Sequence, residues 1–252
     1  MRAPTTHLVV VVDIEGFSQR SDPVQRSLRR AMYEVLTTAV DDAHLTWVDF
    51  HPQDRGDGVI MIVGGHVSPV ALAGEFVRAL EWGLAEKAGI HSADHQMRFR
   101  VALHQGLANP DDEGWSGDAI NTACRLVDAQ PLRDTLAEAR RAQVALIVSN
   151  SFYQSVIRPG HRSMDPSTFA PVTVTSKNLV DFSAWVQVPG YAAPPKLPRT
   201  RRTRTAPLAM PTSVPPSPVP DESELPGTSS LVINGNVQGD AVARDKHVHN
   251  GR

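Results

Sequence analysis

Leu8-Val9-Val10-Val11-Val12 is apolar at every position and β-branched at four of five. A strand with no polar face belongs in the interior of a sheet, covered on both sides. This segment fixes a buried central strand, and the remaining elements must be arranged around it. A helix is expected next. Ser21 or Asp22 can cap it, and Pro23 suits its first position. Val24, Leu28, Met32, Val35, Leu36 and Val40 then recur at helical spacing. Thr46–Phe50 and Val59–Val63 read as strands joined by the polar turn Asp54-Arg55-Gly56-Asp57-Gly58. Pro69–Ala88 reads as a second long helix with Leu72, Phe76, Leu80 and Leu84 on one face, and Met97–His104 as a further strand. The order βαββαβ predicts an α+β fold, a ferredoxin-like sandwich. Asp118–Ala129 and Leu132–Ala142 look helical beyond it, and Val144–Val148 and Asp181–Val188 look like strands.

Composition divides the 252 residues into three parts. Residues 1–190 carry the core-forming pattern. Ten of the 20 prolines fall between Pro194 and Pro226, so 191–228 reads as an extended linker, with a basic cluster at Arg199, Arg201, Arg202 and Arg204. In 229–252, small or apolar residues (Gly235, Val237, Gly239, Ala241) alternate with Asn234, Asn236, Gln238 and Asp240. Such alternation in a disordered tail suits a β-arch or cross-β stack. The net charge of −2 argues against a broad basic face for nucleic acid. A single cysteine, Cys124, excludes a disulfide framework and fits a reducing cytoplasm. The apolar run from His7 to Ile14 is too short to span a bilayer and lacks signal-peptide flanks, so a soluble cytoplasmic protein without membrane association is expected.

Two carboxylates stand where the topology brings loops together. Asp13 ends the first strand, and Asp57 lies in the following hairpin turn. Side by side they would suit hard divalent cations, which prefer oxygen ligands and accompany nucleotide phosphates. Gly16 opens a short loop before a helix N-terminus, a geometry that exposes backbone N–H groups to phosphate. Asn121 and Arg125, four apart on one helix face, pair an amide with a guanidinium, suited to a ribose and a phosphoryl group. Cys124 reads as structural. His91 and His95 have the i, i+4 spacing of zinc ligands but lack a third ligand nearby. Trp47, Trp82 and Trp185 read as core or interface aromatics, and Trp115 as a residue that stacks on a base or lines the pocket.

The segments DIEGFS, RGDG, RVALHQG and GDAINTACRL, in this order over about residues 6–188, resemble the class III nucleotidyl (adenylate and guanylate) cyclases. The resemblance implies conversion of a nucleoside triphosphate to a 3′,5′-cyclic nucleotide and pyrophosphate by a homodimer with active sites at its interface. It implies that Asp13 and Asp57, with the Ile14 backbone carbonyl, bind two Mg²⁺ or Mn²⁺ ions. Gly16 and Phe17 would lie at the nucleotide, Asn121 would orient the ribose, and Arg125 would stabilise the pentacovalent phosphorus. Arg100, with Lys177 as the candidate for the family's late lysine, would hold the triphosphate. The base-reading positions hold Gln53 and Gly114, neither usual family pair, so the base is open, and a cytidylate or uridylate cyclase of an antiphage system fits. The alternative is a catalytically inactive cyclase-fold module that binds nucleotide or assembles. Ile233–Asp245 resembles bacterial amyloid signalling (RHIM-like) motifs, which implies stacking with an NLR-type sensor and activation through tail-mediated assembly in stress or antiphage signalling.

Overall fold

The structure is a computed structural model that describes residues 3–112, 114–161, 164–176 and 179–195. The tail readings from residue 196 onward, including the amyloid-like motif, lie outside the described residues, as does Lys177. Among the described residues eight strands form one sheet: β1 (Thr5–Ile14), β2 (Phe50–Asp54), β3 (Gly58–Val63), β4 (Phe99–Asp111), β5 (Gly114–Ser116), β6 (Val144–Ser149), β7 (Ala170–Ser176) and β8 (Leu179–Gln187). Their order is β2-β3-β1-β4-β6-β8-β7, with β5 pairing only with β4. Strand β4 runs parallel to β6, and every other pairing is antiparallel. The first four strands give the ferredoxin-like order that the βαββαβ pattern predicts.

The all-apolar run in β1 is explained by helices on both faces of the sheet. Helix α1 (Asp22–Asp42) begins after Ser21, with Pro23 in its first turn. Helix α2 (Pro69–Ala71) passes through a π-helical turn (Leu72–Phe76) into α3 (Val77–Ile90). Val10, Val12, Met61, Leu103 and Leu146 share one buried cluster with Leu28, Met32 and Leu36 of α1 and with Phe76, Leu80 and Leu84. Val9, Val11, Ile60, Ala102 and Ile147 form the opposite cluster, beneath α4 (Asp118–Val127) and α5 (Gln130–Glu138). Burying each such Leu, Val or Phe contributes about 1.5–3 kcal/mol.

Some expected boundaries move. Trp47–Asp49 is a 3₁₀ turn that stacks Trp47 on Phe50, with ring centroids 5.9 Å apart, so the strand begins at Phe50 rather than Thr46. Pro52 is tolerated there because β2 is an edge strand that pairs with β3 alone. The helix expected over 132–142 runs from Gln130 to Glu138, and Ala142 packs outside it with Ala139 and Val188. Trp82 is not a core residue, being 65% exposed on α3. Strands β5 and β7 have no counterpart in the periodicity reading. No helix among the described residues is long and apolar enough to cross a membrane.

Candidate active site

Strand register brings the two aspartates together. Asp13 is the next residue after Val9 and Val11 on the α4 side of the sheet, and it stands opposite Gly58 of β3 and Arg100 of β4. The Ile14 N–H donates to the Asp57 carbonyl at 2.9 Å, which ties the β2–β3 turn to the end of β1. Gly58 is required by this close approach, because a Cβ there would run into the Val12 carbonyl. The outcome is a cleft of about 520 Å³ lined by Asp13, Ile14, Gly16, Phe17, Asp57 and Arg100, with Glu15, Ser18, Gln19, Arg20 and Arg133 completing it.

Arg100 holds Asp13. Its Nε donates to Asp13 Oδ2 at 2.8 Å, and Nη2 donates to the same oxygen. The two side chains are only 13% and 15% exposed. Burial pushes the Asp13 carboxyl above the usual range; Arg100 opposes that push, and Asp57 and Asp128 reinforce it. The donor set is hard: two carboxylates and the Ile14 backbone. Arg100 is bonded to Oδ2 alone. Such a set suits Mg²⁺ or Mn²⁺, which are commonly held by one or two carboxylates together with substrate phosphates. Among the described residues no group of three or more His, Cys, Asp or Glu is placed to hold a metal unaided. Such an ion would complete its shell with water, which Mg²⁺ gives up reluctantly, or with oxygens of a ligand.

The loop after β1 is a compact turn. The Glu15 N–H donates to the Arg98 carbonyl at 2.9 Å. Gly16 takes φ +66°, the left-handed region that glycine enters without penalty, and a 3₁₀ turn over Phe17–Gln19 leads to α1. Arg20 and Arg133 add guanidinium groups that the sequence reading missed. Arg20 was visible four residues after Gly16. Arg133 reaches the cleft only because α5 packs back across the sheet, where it pairs with Asp128 at 2.8 Å.

Gln53 and Gly114 line a second cleft, of about 640 Å³, with His51 and Trp115. Gly114 has φ +135°, and a Cβ there would lie 3.0 Å from Gln53 Nε2. The Trp115 ring lies against His51 at 5.3 Å and edge-on to His7 at 4.8 Å, so it forms part of the cleft wall.

Asn121 and Arg125 line neither cleft. They ride on α4, whose Ala119, Ile120, Ala123, Leu126 and Val127 are buried, leaving Asn121 exposed and Arg125 half-buried. Gly117 permits the tight entry into this helix, since a Cβ there would stand 2.7 Å from the Leu107 carbonyl. Cys124 is half-buried against the α4-side core, and burial pushes its thiol pKa up, as expected of a packing residue. His91 and His95 lie 6.5 Å apart by ring centroid, and His95 bonds Ser92 rather than joining a metal-binding group.

Neither a protein-family model nor a curated protein sequence matches the chain. Solved structures do. An adenylate/guanylate cyclase/hydrolase from Silicibacter pomeroyi is 16% identical, with a TM-score of 0.55 over 75% of this chain and 100% of that one. The catalytic core of a rhodopsin-guanylyl cyclase with converted specificity, in complex with ATPalphaS, is 17% identical, with a TM-score of 0.50 over 73% of this chain and 96% of that one. A bacterial light-regulated adenylyl cyclase is 13% identical, with a TM-score of 0.50 over 77% of this chain and 55% of that one. The chain thus carries the fold of the class III adenylate and guanylate cyclase domains.

Proposed function

We propose that the protein is a metal-dependent nucleotidyl cyclase that converts a nucleoside triphosphate to a 3′,5′-cyclic nucleotide and pyrophosphate. The observation that carries this reading is the β1–β3 register, which sets Asp13 beside the Asp57 turn in the cleft that also holds the Gly16 loop and Arg100. Asp13, Asp57 and the Ile14 carbonyl would hold two Mg²⁺ or Mn²⁺ ions, which would supply charge neutralisation for the triphosphate and acidify the ribose 3′-hydroxyl. Backbone N–H groups of the Gly16–Phe17 loop, Arg100 and Lys177 bind the phosphates. Asn121 orients the ribose so that its 3′-oxygen faces the α-phosphorus. That oxygen loses its proton to solvent and bonds to phosphorus as the bond to the bridging oxygen breaks. Pyrophosphate leaves, and Arg125 neutralises charge on the phosphoryl oxygens. Gln53 donates and accepts hydrogen bonds and so reads a base edge, purine or pyrimidine.

In this reading Asn121 and Arg125, which line neither the Asp13 cleft nor the Gln53 cleft, act on the site of a second copy, so that a symmetric pair builds two sites. The tail, as a RHIM-like motif recognised by an NLR-type sensor in stress or antiphage signalling, would raise the local concentration of cytoplasmic cyclase domains. Deleting the chain after Pro226 leaves basal turnover and abolishes activation by assembly; a truncated protein that still responds to the trigger refutes the tail's role.

The deciding experiment incubates the protein with Mn²⁺ and each of ATP, GTP, CTP and UTP, with Asp57→Ala as control, and identifies products by mass spectrometry. One 3′,5′-cyclic nucleotide, absent with the variant, is expected. One observation favours the alternative, an inactive cyclase-fold module: Arg100 already occupies one Asp13 oxygen. Absence of product from all four nucleotides, before and after tail-driven assembly, establishes that alternative.

A further inference from the structure

Asp54, the last residue of β2, gathers hydrogen bonds from three residues in two segments of chain. Its Oδ1 accepts the Gly56 N–H at 2.8 Å, closing the turn that carries Asp57. Its Oδ2 accepts Arg29 Nε at 2.9 Å, Arg29 Nη2 at 2.8 Å and the Tyr33 hydroxyl at 2.7 Å, all from α1. Arg29 and Tyr33 are four apart, so one helix face presents both. On its far side the turn is held by the Ile14 N–H at the Asp57 carbonyl. Within the turn, Gly56 has φ +86° and the Arg55 N–H donates to the Gly58 carbonyl at 2.9 Å. The turn is therefore fixed from two directions, by β1 at Asp57 and by α1 through Asp54.

A hairpin at the edge of a sheet does not need this. Among the described residues β2 pairs with β3 alone, and the Arg55 N–H to Gly58 carbonyl bond spans the turn without help from α1. Through the Asp54 carboxylate the turn is bonded to α1 as well, on the side away from the Ile14–Asp57 bond to β1. We propose that Asp54, anchored by Arg29 and Tyr33, is a positioning residue for the Asp13–Asp57 cation site. This rests on the cation-binding reading of those two aspartates. The charge state is consistent: burial works against ionisation of Asp54, but Arg29, Tyr33 and Gly56 outweigh it and hold the carboxyl below its usual range. The Tyr33 phenol is pushed up to about 12 by burial and by its bond to Asp54, so it stays a donor at any working pH.

The test measures Mn²⁺ binding to the full chain from the loss of the free-ion electron spin resonance signal, with no nucleotide turnover required. Asp54→Ala is expected to weaken binding roughly tenfold or more, as loss of a supporting partner around a metal site commonly does. Tyr33→Phe, which removes one bond of the set, has a smaller effect in the same direction. Asp54→Asn keeps an acceptor for Gly56 and recovers part of the loss. Glu34→Ala, which removes the exposed Glu34–Lys87 pair from the same helix, leaves Mn²⁺ affinity unchanged. Hydrogen exchange provides a readout free of metal: Asp54→Ala speeds exchange in the peptide spanning Arg55–Gly58 while the β1 peptide stays protected. Mn²⁺ binding that is lost in Asp57→Ala but kept in Asp54→Ala overturns the positioning role alone. Binding that is indifferent to Asp57→Ala overturns the cation site and this role with it.

Discussion

Replacing Arg100 by Met removes the guanidinium from Asp13 while keeping most of the side-chain volume. At the 2.8 Å separation of the pair, an effective dielectric of about 20 gives an attraction of about 6 kcal/mol before desolvation is charged against it. Breaking a buried pair by removing one partner costs about 3–5 kcal/mol. The two side chains keep 13% and 15% exposure, which places the expected loss near the lower end, about 3 kcal/mol. That corresponds to a fall in Tm of about 6–12 °C for a domain of this size. The loss depends on pH. Burial already raises the Asp13 pKa in the folded state, so the folded protein binds this proton more tightly than the unfolded chain. The ionised carboxyl therefore weakens folding above its folded pKa, and the penalty is relieved as pH falls through that value. Without Arg100 the folded pKa rises further, so the deficit of the variant is largest at pH values well above the carboxylate range and shrinks as pH falls toward it. Urea unfolding of the wild type, Arg100→Met, Asp13→Asn and the double variant forms a cycle, with an expected coupling of about 2 kcal/mol at pH 8. Coupling below about 0.5 kcal/mol, or a deficit that grows as pH falls, refutes the argument that a buried, charged Asp13 depends on Arg100.

His104 donates to or accepts from Ser149 Oγ at 2.8 Å, and burial lowers its pKa below 6.5 although Asp118 opposes the shift. The unfolded chain then binds more protons between the two values, so stability falls as pH drops through 6.5; urea midpoints at pH 7.5 and 5.5 should separate more for the wild type than for His104→Gln. Gly58→Ala is expected to cost about 1–3 kcal/mol, because the added methyl meets backbone that cannot move aside, and an unchanged urea midpoint contradicts the close approach of β1 and β3. If the site is shared between two copies, Asp57→Ala and Asn121→Ala are each inactive. Mixing them then restores about a quarter of wild-type turnover, since half of random pairs are mixed and each mixed pair holds one intact site. Mixtures as inactive as their components argue against the shared site.

Much of this molecule is legible along the chain. The apolar run Leu8–Val12, the helical spacing from Val24 to Val40 and the polar turn at 54–58 are local patterns, and local patterns set secondary structure and the faces that must be buried. They led to the sheet order of the first four strands, to Asp13 and Asp57 at neighbouring strand ends, and to Asn121 and Arg125 on one helix. Elements shaped by packing were less legible. The strand start at Phe50 depends on Trp47 stacking over that ring, and β7 exists because β8 pairs with it.

The sequence by itself determined which residues are buried, which carry charge at strand and helix ends, and which βαββαβ order they follow. Only the tertiary structure decided their partners. Arg100 meets Asp13 from 87 positions away because β4 pairs with β1 in one register, and a slip of one residue would turn Asp13 to the α1 side of the sheet. Arg29 and Tyr33 meet Asp54 because α1 packs over the sheet beside the β2–β3 turn, and Cys124 and Val127 of α4 border a cleft with Asp13 and Asp57 because α4 lies across the opposite face. Such meetings are governed by register and packing between distant segments, and neither is written in any local stretch of sequence.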